Sequence, residues 1–183
     1  MRGILLSGGM DSTILAYNLR RRFGADGLVA LHAEHTFSTP QETAAAKTVA
    51  SDLEIELIRG SLFPTTRAGD VLPARNMLLV AWAANALQDR GGGDLYLGFC
   101  REDRLGFPDC DEHFVDLCNQ ILRHSGCDVF VRAPYASLPK TEILELPGHD
   151  YAESVSYSCY SPEGPCGVCS SCRLRSASLD GAP

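Results

Sequence analysis

Five short apolar segments alternate with longer stretches of helical spacing, and this alternation limits the possible folds of the chain more than any other sequence feature. The apolar segments are bounded by glycine or polar residues, as buried strands are, and span residues 3–6, 28–32, 55–58, 95–98 and 129–131. The helical stretches span residues 11–22, 40–52, 75–88 and 112–124. Repeated strand–helix units form right-handed crossovers. We therefore predict an α/β fold with a doubly wound, parallel, five-stranded sheet.

The strand–helix alternation ends near residue 150. A Pro-Gly pair at residues 147–148 limits a fifth helical segment, residues 140–146, to under two turns. Residues 156–175 are too rich in Cys, Ser, Gly and Pro to form a further layer without a cross-link. We predict a nucleotide-binding α/β region at residues 1–150 and a metal-stabilised extension of the same domain at residues 151–183.

The composition favours a globular protein that acts on small molecules. A chain of 183 residues with 45% hydrophobic residues is typical of one domain with a real core. Its net charge of −7 argues against a broad nucleic-acid-binding surface, since such surfaces are basic. No segment approaches the roughly 18 consecutive apolar residues that a membrane helix needs, and no signal peptide precedes the first strand. We expect a soluble, cytoplasmic protein.

The turn after the first predicted strand has the features of a phosphate-binding loop. It reads Ser-Gly-Gly-Met-Asp-Ser at residues 7–12, directly before a predicted helix. The two glycines let backbone N–H groups approach an anion, and the helix adds its positive N-terminal end. Ligands of open parallel sheets bind beyond the carboxyl ends of the strands, which is where this turn lies. The residues predicted to hold ATP here are Leu6, Ser7, Gly8, Gly9, Met10, Asp11, Ser12 and Thr13.

Asp11 has a distinct role in this loop. A carboxylate beside a pyrophosphate is repelled unless a cation lies between them, so Asp11 implies Mg²⁺. The absence of a Gly-Lys-Ser/Thr ending excludes a kinase-type P-loop. The alternative is an ordinary strand-to-helix turn in which Asp11 or Ser12 caps the helix.

Four of the eight cysteines are candidate metal ligands. They follow the spacing C-x6-C-x2-C-x2-C, which brings four thiolates close enough to surround one ion: Cys159, Cys166, Cys169 and Cys172. We predict a structural Zn²⁺ site; the alternatives are an iron–sulfur cluster and a metal-free or disulfide-linked tail. Arg173 and Arg175 follow the cluster and either reach an anion or lie solvated on the surface. The other four cysteines are scattered, and we interpret them as small core residues: Cys100, Cys110, Cys118 and Cys127.

These motifs together resemble the 7-cyano-7-deazaguanine synthase (QueC) family of queuosine biosynthesis, within the PP-loop ATP pyrophosphatase superfamily. Besides the loop at residues 7–12, the resemblance rests on Leu-Pro-Ala-Arg-Asn at 72–76, GFCREDRLGFPDC at 98–110, Ala-Pro followed by Lys-Thr-Glu-Ile at 133–143, and the cysteine tail at 158–175. It covers most of the chain. It implies a PP-loop fold and a homodimer.

The resemblance also implies a reaction. In that family 7-carboxy-7-deazaguanine is adenylated by MgATP, ammonia displaces AMP to give an amide, and a second activation dehydrates the amide to the nitrile. The cations expected to offset the repulsion of two anions are Arg75 and Lys140, which join Asp11 as candidate catalytic residues. Arg75 and Asn76 are also expected to bind ATP. The candidates for the ring of the substrate are Glu102, Asp103, Phe107 and Asp109.

Each of these side chains has a plainer alternative. Arg75 and Lys140 each open a predicted helix, where exposed basic residues are common, and the acidic residues are ordinary in a solvated loop.

The sequence departs from the family pattern after the second strand. The family has Asp-Tyr-Gly-Gln there, whereas this chain has Glu-His-Thr-Phe-Ser-Thr-Pro at residues 34–40. Cys100 replaces an asparagine, and Arg104 and Phe107 replace two tyrosines. The segment at residues 34–40 lies where adenine recognition or entry of the acceptor would occur. The other three changes alter the polarity of the substrate wall.

The departures motivate a second hypothesis. A QueC-like paralogue would adenylate the same or a related carboxylate and pass it to another amine, which gives a small-molecule amide or a protein conjugate. A tRNA sulfur transferase is a third candidate, although it needs a reactive cysteine and a basic surface. The fourth is a module without enzymatic activity, against which the intact loop counts.

Overall fold

The computed structural model describes residues 1–35, 38–62 and 74–179. Its strands are β1 (Arg2–Leu5), β2 (Leu28–Glu34), β3 (Glu56–Ser61), β4 (Gly93–Tyr96) and β5 (Val129–Arg132). Its α-helices are α1 (Met10–Phe23), α2 (Pro40–Asp52), α3 (Arg75–Gln88), α4 (Glu112–His124), α5 (Lys140–Leu144), α6 (His149–Val155) and α7 (Ser170–Leu179). A short 3₁₀ helix covers Arg101–Leu105.

The five strands form one parallel sheet in the order β3-β2-β1-β4-β5. The chain therefore runs outward from β1 to β3 and then crosses back to β4, which makes the sheet doubly wound. The predicted fold class is confirmed. Between β1 and β4 the winding direction reverses, and in open α/β sheets this switch point at the carboxyl ends is where ligands bind.

Apolar side chains cover both faces of the sheet. One core cluster joins Ile4 of β1 to α1 and α2, with Ile14 and Val49 at its centre. The other joins Leu31 and Leu95 to α3 and α4. Burial on both faces explains the nearly continuous apolar runs of the central strands, since neither face meets water.

Local capping signals set the start of two helices. Thr39 accepts a hydrogen bond from the Glu42 N–H and Glu42 accepts one from the Thr39 N–H, so α2 begins in a capping box followed by a proline. At the start of α4 the carboxylate of Asp111 accepts a hydrogen bond from the Phe114 N–H.

The boundary predicted for β4 was wrong by two residues at each end. The strand ends at Tyr96, because Gly98 turns beneath the start of α1, where a Cβ would lie 2.9 Å from the Cα of Ser12. Sequence periodicity does not reveal such a close approach between distant segments.

Two helices in the C-terminal region were not predicted. α6 begins after Gly148, which has a left-handed φ of 95° and whose backbone packs against the ring of Tyr17. Within α6, Ala152 is completely buried. α7 begins directly after Cys169 and carries Cys172. Both helices are short and follow glycine- or cysteine-rich segments, so the helical period had too few turns to be visible. Among the described helices none is long and apolar enough to cross a membrane.

Candidate active site

Two adjoining cavities open at the carboxyl edge of the sheet. The smaller, about 260 Å³, lies at the switch point between β1 and β4, and the larger, about 660 Å³, extends over β2 towards α2. Ser7, Glu42, Arg75, Phe107 and Tyr160 line both. The two cavities therefore form one site with walls from four loops and the C-terminal tail.

The loop between β1 and α1 is held in a fixed shape. Ser7 Oγ accepts a hydrogen bond from the Gly9 N–H at 3.1 Å and lies 3.0 Å from Ser12 Oγ. Gly9 O in turn accepts hydrogen bonds from the hydroxyls of Ser12 and Thr13, at 3.0 and 2.8 Å. The first turn of α1 therefore points its N–H groups at the cavity, which suits an anion.

Gly8 fits this loop only because it lacks a side chain. Its φ is 90°, and a Cβ would lie 2.3 Å from the backbone oxygen of Glu42 in α2. We expect Gly8→Ala to lower the free energy of unfolding by at least about 2 kcal/mol, measured by urea titration. Gly27→Ala is the matched control, because Gly27 also has a positive φ but open space around it, and should cost only about 1 kcal/mol. Equal losses in the two variants would contradict the packing argument.

A buried ion pair lies beside the loop. The ammonium of Lys140 at the start of α5 contacts the carboxylate of Asp11, and the two side chains are only 13% and 15% exposed. Burial raises the pKa of Asp11, and the nearby Lys140 offsets part of the rise. One oxygen or sulfur atom from each of Asp11, Asp103 and Cys100 lies within 4.8 Å of the others.

This group fits Mg²⁺ only in part. Mg²⁺ takes oxygen ligands, so the carboxylates of Asp11 and Asp103 are suitable donors and the thiol of Cys100 is not. Burial and the neighbouring Asp103 raise the pKa of Cys100 to about 12, so its thiol stays protonated at neutral pH. The two carboxylates could therefore take an ion from the cavity side, with water and phosphate as the other ligands.

Arg75 and its neighbours form the wall opposite the loop. Arg75 is the first residue of α3, and its guanidinium carbon lies 5.2 Å above the ring of Phe107. Asn76 donates weakly to the backbone oxygen of Asp109 and to the Cys110 sulfur, at 3.4 Å each. Stacking on Phe107 directs the Arg75 cation towards both cavities.

The four tail cysteines are gathered into one cluster. Their sulfur atoms all lie within 4.8 Å of one another, and a tetrahedral zinc site with Zn–S bonds of about 2.3 Å separates its sulfurs by about 3.8 Å. Burial alone would raise the pKa of Cys159, but hydrogen bonds from the N–H groups of Cys166 and Ser161 outweigh it and lower the pKa to about 6. The residues thus fit a four-coordinate metal ion, with no position left open.

The tail is joined directly to the phosphate loop. The Tyr157 N–H donates to Gly8 O at 2.9 Å, and the hydroxyl of Ser158 lies beside Gly9. Arg175 donates to the backbone oxygens of Ser156 and Glu153, which ties α7 to α6. The tail that carries the cysteine cluster is therefore one wall of the cavity and not an independent appendage.

Comparison with known proteins identifies the family. The family model described as queuosine biosynthesis protein QueC matches residues 61–182. A 7-cyano-7-deazaguanine synthase of Koribacter versatilis is 32% identical, with 98% of this chain and 88% of that protein covered. The synthase of Pyrococcus furiosus is 30% identical, with 96% and 90% covered. The chain belongs to the QueC family. It is accordingly a PP-loop enzyme of the ATP-dependent ligase class.

Solved structures show the same fold. The NAD synthase family model matches residues 3–85. The U34-tRNA thiolase NcsA from Methanococcus maripaludis, solved with its [4Fe-4S] cluster, aligns with a TM-score of 0.59 at 17% identity, over 98% of this chain and 64% of that chain. Glutamine-dependent NAD⁺ synthetase from Acinetobacter baumannii aligns with a TM-score of 0.55 at 18% identity, over 88% and 30%. At these identities the likeness concerns the fold alone.

Most of the predicted site residues of this QueC-family chain line at least one of the two cavities. Among those that the structure describes, the residues that line the smaller cavity are Ser7, Gly9, Met10, Asp11, Ser12, Arg75, Asn76, Asp103, Phe107 and Lys140. Leu6 lines the larger cavity instead, and the hydroxyl of Thr13 is fully buried. Gly8, Glu102 and Asp109 line neither of these cavities. Gly8 packs against the backbone of α2, and Glu102 accepts the Lys140 N–H at 2.9 Å and so positions the start of α5. Leu72 and Pro73 lie outside the described residues.

Sequence reasoning missed four residues that line both cavities, of which Leu5 and Leu79 are apolar and Glu42 and Tyr160 carry polar groups. Glu42 appeared only as part of a helix, although a Thr-Pro-Gln-Glu sequence signals a capping box and thus a carboxylate near the sheet edge. Tyr160 lies in the cysteine tail at residues 158–175, where the sequence assigned functional roles only to the cysteines and the arginines. Nothing in the local pattern shows that the tail folds back over the loop.

Two histidines near the larger cavity make stability depend on pH. His32 Nδ1 donates to Leu6 O at 2.8 Å, and Nε2 lies 3.1 Å from Thr43 Oγ1. Burial lowers the pKa of His32 and, together with the charge of Arg75, lowers that of His35 to about 4. An unfolded histidine titrates near pH 6.5. Between pH 6.5 and 4 these two histidines therefore bind more protons in the unfolded chain than in the folded chain.

We expect the urea midpoint to fall as the pH is lowered from about 6.5 towards 4. His35→Gln should flatten this dependence, because glutamine does not titrate. The exposed His124→Gln is the control and should leave the slope unchanged. An identical slope in wild type and His35→Gln would contradict the assignment.

Proposed function

We propose that this protein converts 7-carboxy-7-deazaguanine and ammonia to 7-cyano-7-deazaguanine with ATP. The curated relatives are named for this product. The observation that carries the proposal is the cavity at the switch point, where a phosphate loop, three acidic and three basic side chains share one space. A site that joins two anions must supply this combination of charges.

Two of these carboxylates and two of these cations have separate roles in this proposal. Asp11 would hold Mg²⁺, which would neutralise the phosphates of ATP and polarise the bond that breaks, whereas Asp103 faces the ring of the substrate. Lys140 and Arg75 balance the charge of the substrate carboxylate and of the departing pyrophosphate. Lys140 is paired with Asp11 before substrates bind. When the substrates bind, the Lys140 ammonium therefore exchanges its ion pair with Asp11 for one with the substrate carboxylate or the pyrophosphate.

The chemistry runs in two activations. The substrate carboxylate oxygen attacks the α-phosphorus of ATP and pyrophosphate leaves, which gives an acyl adenylate. Ammonia then attacks the carbonyl carbon, loses a proton and displaces AMP, which leaves the amide. The amide oxygen then attacks the α-phosphorus of a second ATP and pyrophosphate leaves, and loss of AMP together with both protons of the nitrogen gives the nitrile. The backbone N–H groups around Gly9 and the charge of Arg75 stabilise the negative charge that develops on phosphate.

The ring of the substrate lies against Asp103 and Phe107 in this proposal. A carboxylate accepts hydrogen bonds from the N–H edge of a guanine-like ring, and Phe107 supplies a flat apolar wall. Glu102 and Asp109 support this wall from outside the cavity, through the N–H of Lys140 and the amide of Asn76.

The cysteine cluster binds one Zn²⁺ with a structural role in this proposal. Four cysteine ligands close the coordination shell, so the metal has no position for substrate. The family also supports a cytoplasmic homodimer, which sedimentation of the purified protein tests.

One observation favours a second candidate. His35 and Thr39 line the larger cavity, and they belong to the segment that departs from the family pattern. A changed wall there would admit an amine other than ammonia, either a small molecule or a protein side chain, and the reaction would stop at the amide. Sulfur transfer is disfavoured, because burial raises the pKa of Cys100 and of Cys110 to about 12 and neither forms a nucleophilic thiolate at neutral pH.

One assay separates these candidates. The purified protein is incubated with MgATP, ammonia and 7-carboxy-7-deazaguanine, and small-molecule and protein-linked products are identified by mass spectrometry. We expect the nitrile, with AMP and pyrophosphate. An accumulated amide or a mass added to a protein would favour the second candidate, whereas an unchanged acid with unchanged ATP would refute both.

A further inference from the structure

Tyr160 occupies an unusual position in the C-terminal tail. It lines both cavities, yet the residue remains 47% exposed. A large aromatic side chain normally gains stability by burial, so an exposed ring at a cavity wall contributes little to folding. Its position is better explained by what the cavity binds.

The ring is nevertheless held in place at both ends. The chain on either side is fixed by the cysteine cluster, since the Cys159 sulfur accepts the Ser161 N–H at 3.3 Å. At the far end the Tyr160 hydroxyl lies 3.4 Å from Ser170 Oγ, at the start of α7. The side chain is thus positioned without being covered. Because the side chain is already ordered, little conformational entropy of Tyr160 is lost when a ligand binds.

Phe107 provides a second aromatic wall around the same space. It lines the same two cavities from the loop after β4, and Arg75 stacks on it. The apolar residues Leu79 and Pro162 complete the surroundings of the larger cavity. Aromatic and guanidinium faces are the surfaces on which flat nitrogen heterocycles stack.

We propose that Tyr160 is a binding residue that stacks on a flat, fused nitrogen heterocycle where the two cavities meet. This inference rests on the proposed function, which supplies two such rings, the adenine of ATP and the deazaguanine of the acid. Tyr160 makes no contact with reacting atoms. The cysteine cluster then contributes to ligand affinity by fixing the backbone on both sides of this ring.

The test measures binding rather than turnover. The dissociation constants of MgATP and of 7-carboxy-7-deazaguanine are determined separately by calorimetry for wild type, Tyr160→Ala and Tyr160→Phe. We expect Tyr160→Ala to raise one of the two constants about 5- to 100-fold, the range for a lost base–aromatic stack. Tyr160→Phe keeps the ring and should stay within about twofold of wild type. The ligand that responds identifies which ring is stacked.

Val168→Ala is the matched control, because Val168 is an exposed tail residue that lines neither cavity. Metal content is measured in every variant. If Tyr160→Ala loses metal, Tyr160→Leu replaces it in the test, because leucine keeps the bulk of the side chain but has no ring face. The same rise in one of the two dissociation constants is then expected. Unchanged constants for both ligands in a metal-replete variant would overturn the inference and leave the proposed function intact. Wild-type protein that binds neither ligand would overturn both.

Discussion

Asp11→Asn is expected to lower kcat/KM for the ATP-dependent reaction by about 10²- to 10³-fold while the protein stays folded. Asparagine has the shape of aspartate and can still accept a hydrogen bond from Lys140. It lacks the negative charge that holds Mg²⁺ beside the phosphates. The loss should therefore appear in catalysis far more than in stability.

The measurement compares AMP formation with the thermal midpoint of unfolding. Asp26→Asn is the control, because Asp26 is exposed in the turn before β2 and lies away from both cavities. We expect that variant to match wild type in rate. Turnover of Asp11→Asn within a few-fold of wild type would remove Asp11 from the metal site. Raising the Mg²⁺ concentration should restore part of the lost rate if the defect lies in metal affinity.

Cys172→Ser is expected to remove the metal and release the tail. The hydroxyl of serine is a poor ligand for a site built from thiolates, and structural zinc contributes on the order of 10 kcal/mol to small folds that depend on it. Residues 156–175 should then become sensitive to proteolysis, and activity should fall because the tail contacts Gly8 and forms a wall of the cavity.

Elemental analysis and limited proteolysis check this prediction. Wild type should contain one zinc per chain and Cys172→Ser almost none. Cys127→Ser is the control, since Cys127 is half-buried beside the second core cluster, outside the group of four sulfurs. A variant that keeps stoichiometric metal and an intact tail would contradict the four-cysteine site. Iron with sulfide in place of zinc would keep the site and change its metal.

The elements that sequence predicted well are those defined by local signals. α2 and α4 begin and end at their predicted residues, because a capping box and an aspartate cap mark their starts. The start of α3 at Arg75 was also predicted, although Ala74 before it adopts a left-handed conformation. Parallel pairing followed from the alternation of strands and helices rather than from any one strand.

The predictions that failed concern contacts between distant segments. β4 ends early because Gly98 approaches α1, and α6 forms where Gly148 packs on Tyr17. Each depends on a surface supplied by another part of the chain. Hydrophobic period and capping patterns report only on neighbours within a few residues.

The sequence by itself determined the phosphate loop, the cysteine spacing and the doubly wound sheet, because each is written in contiguous residues or in a repeated pattern. Only the tertiary structure decided that Lys140 meets Asp11 across 129 residues, that Tyr160 lies over both cavities, and that the tail rests on Gly8. The physical reason is that the carboxyl ends of parallel strands collect loops from the whole chain at one edge. Local patterns specify each loop, whereas packing of the helices and the tail selects which side chains share the cavity.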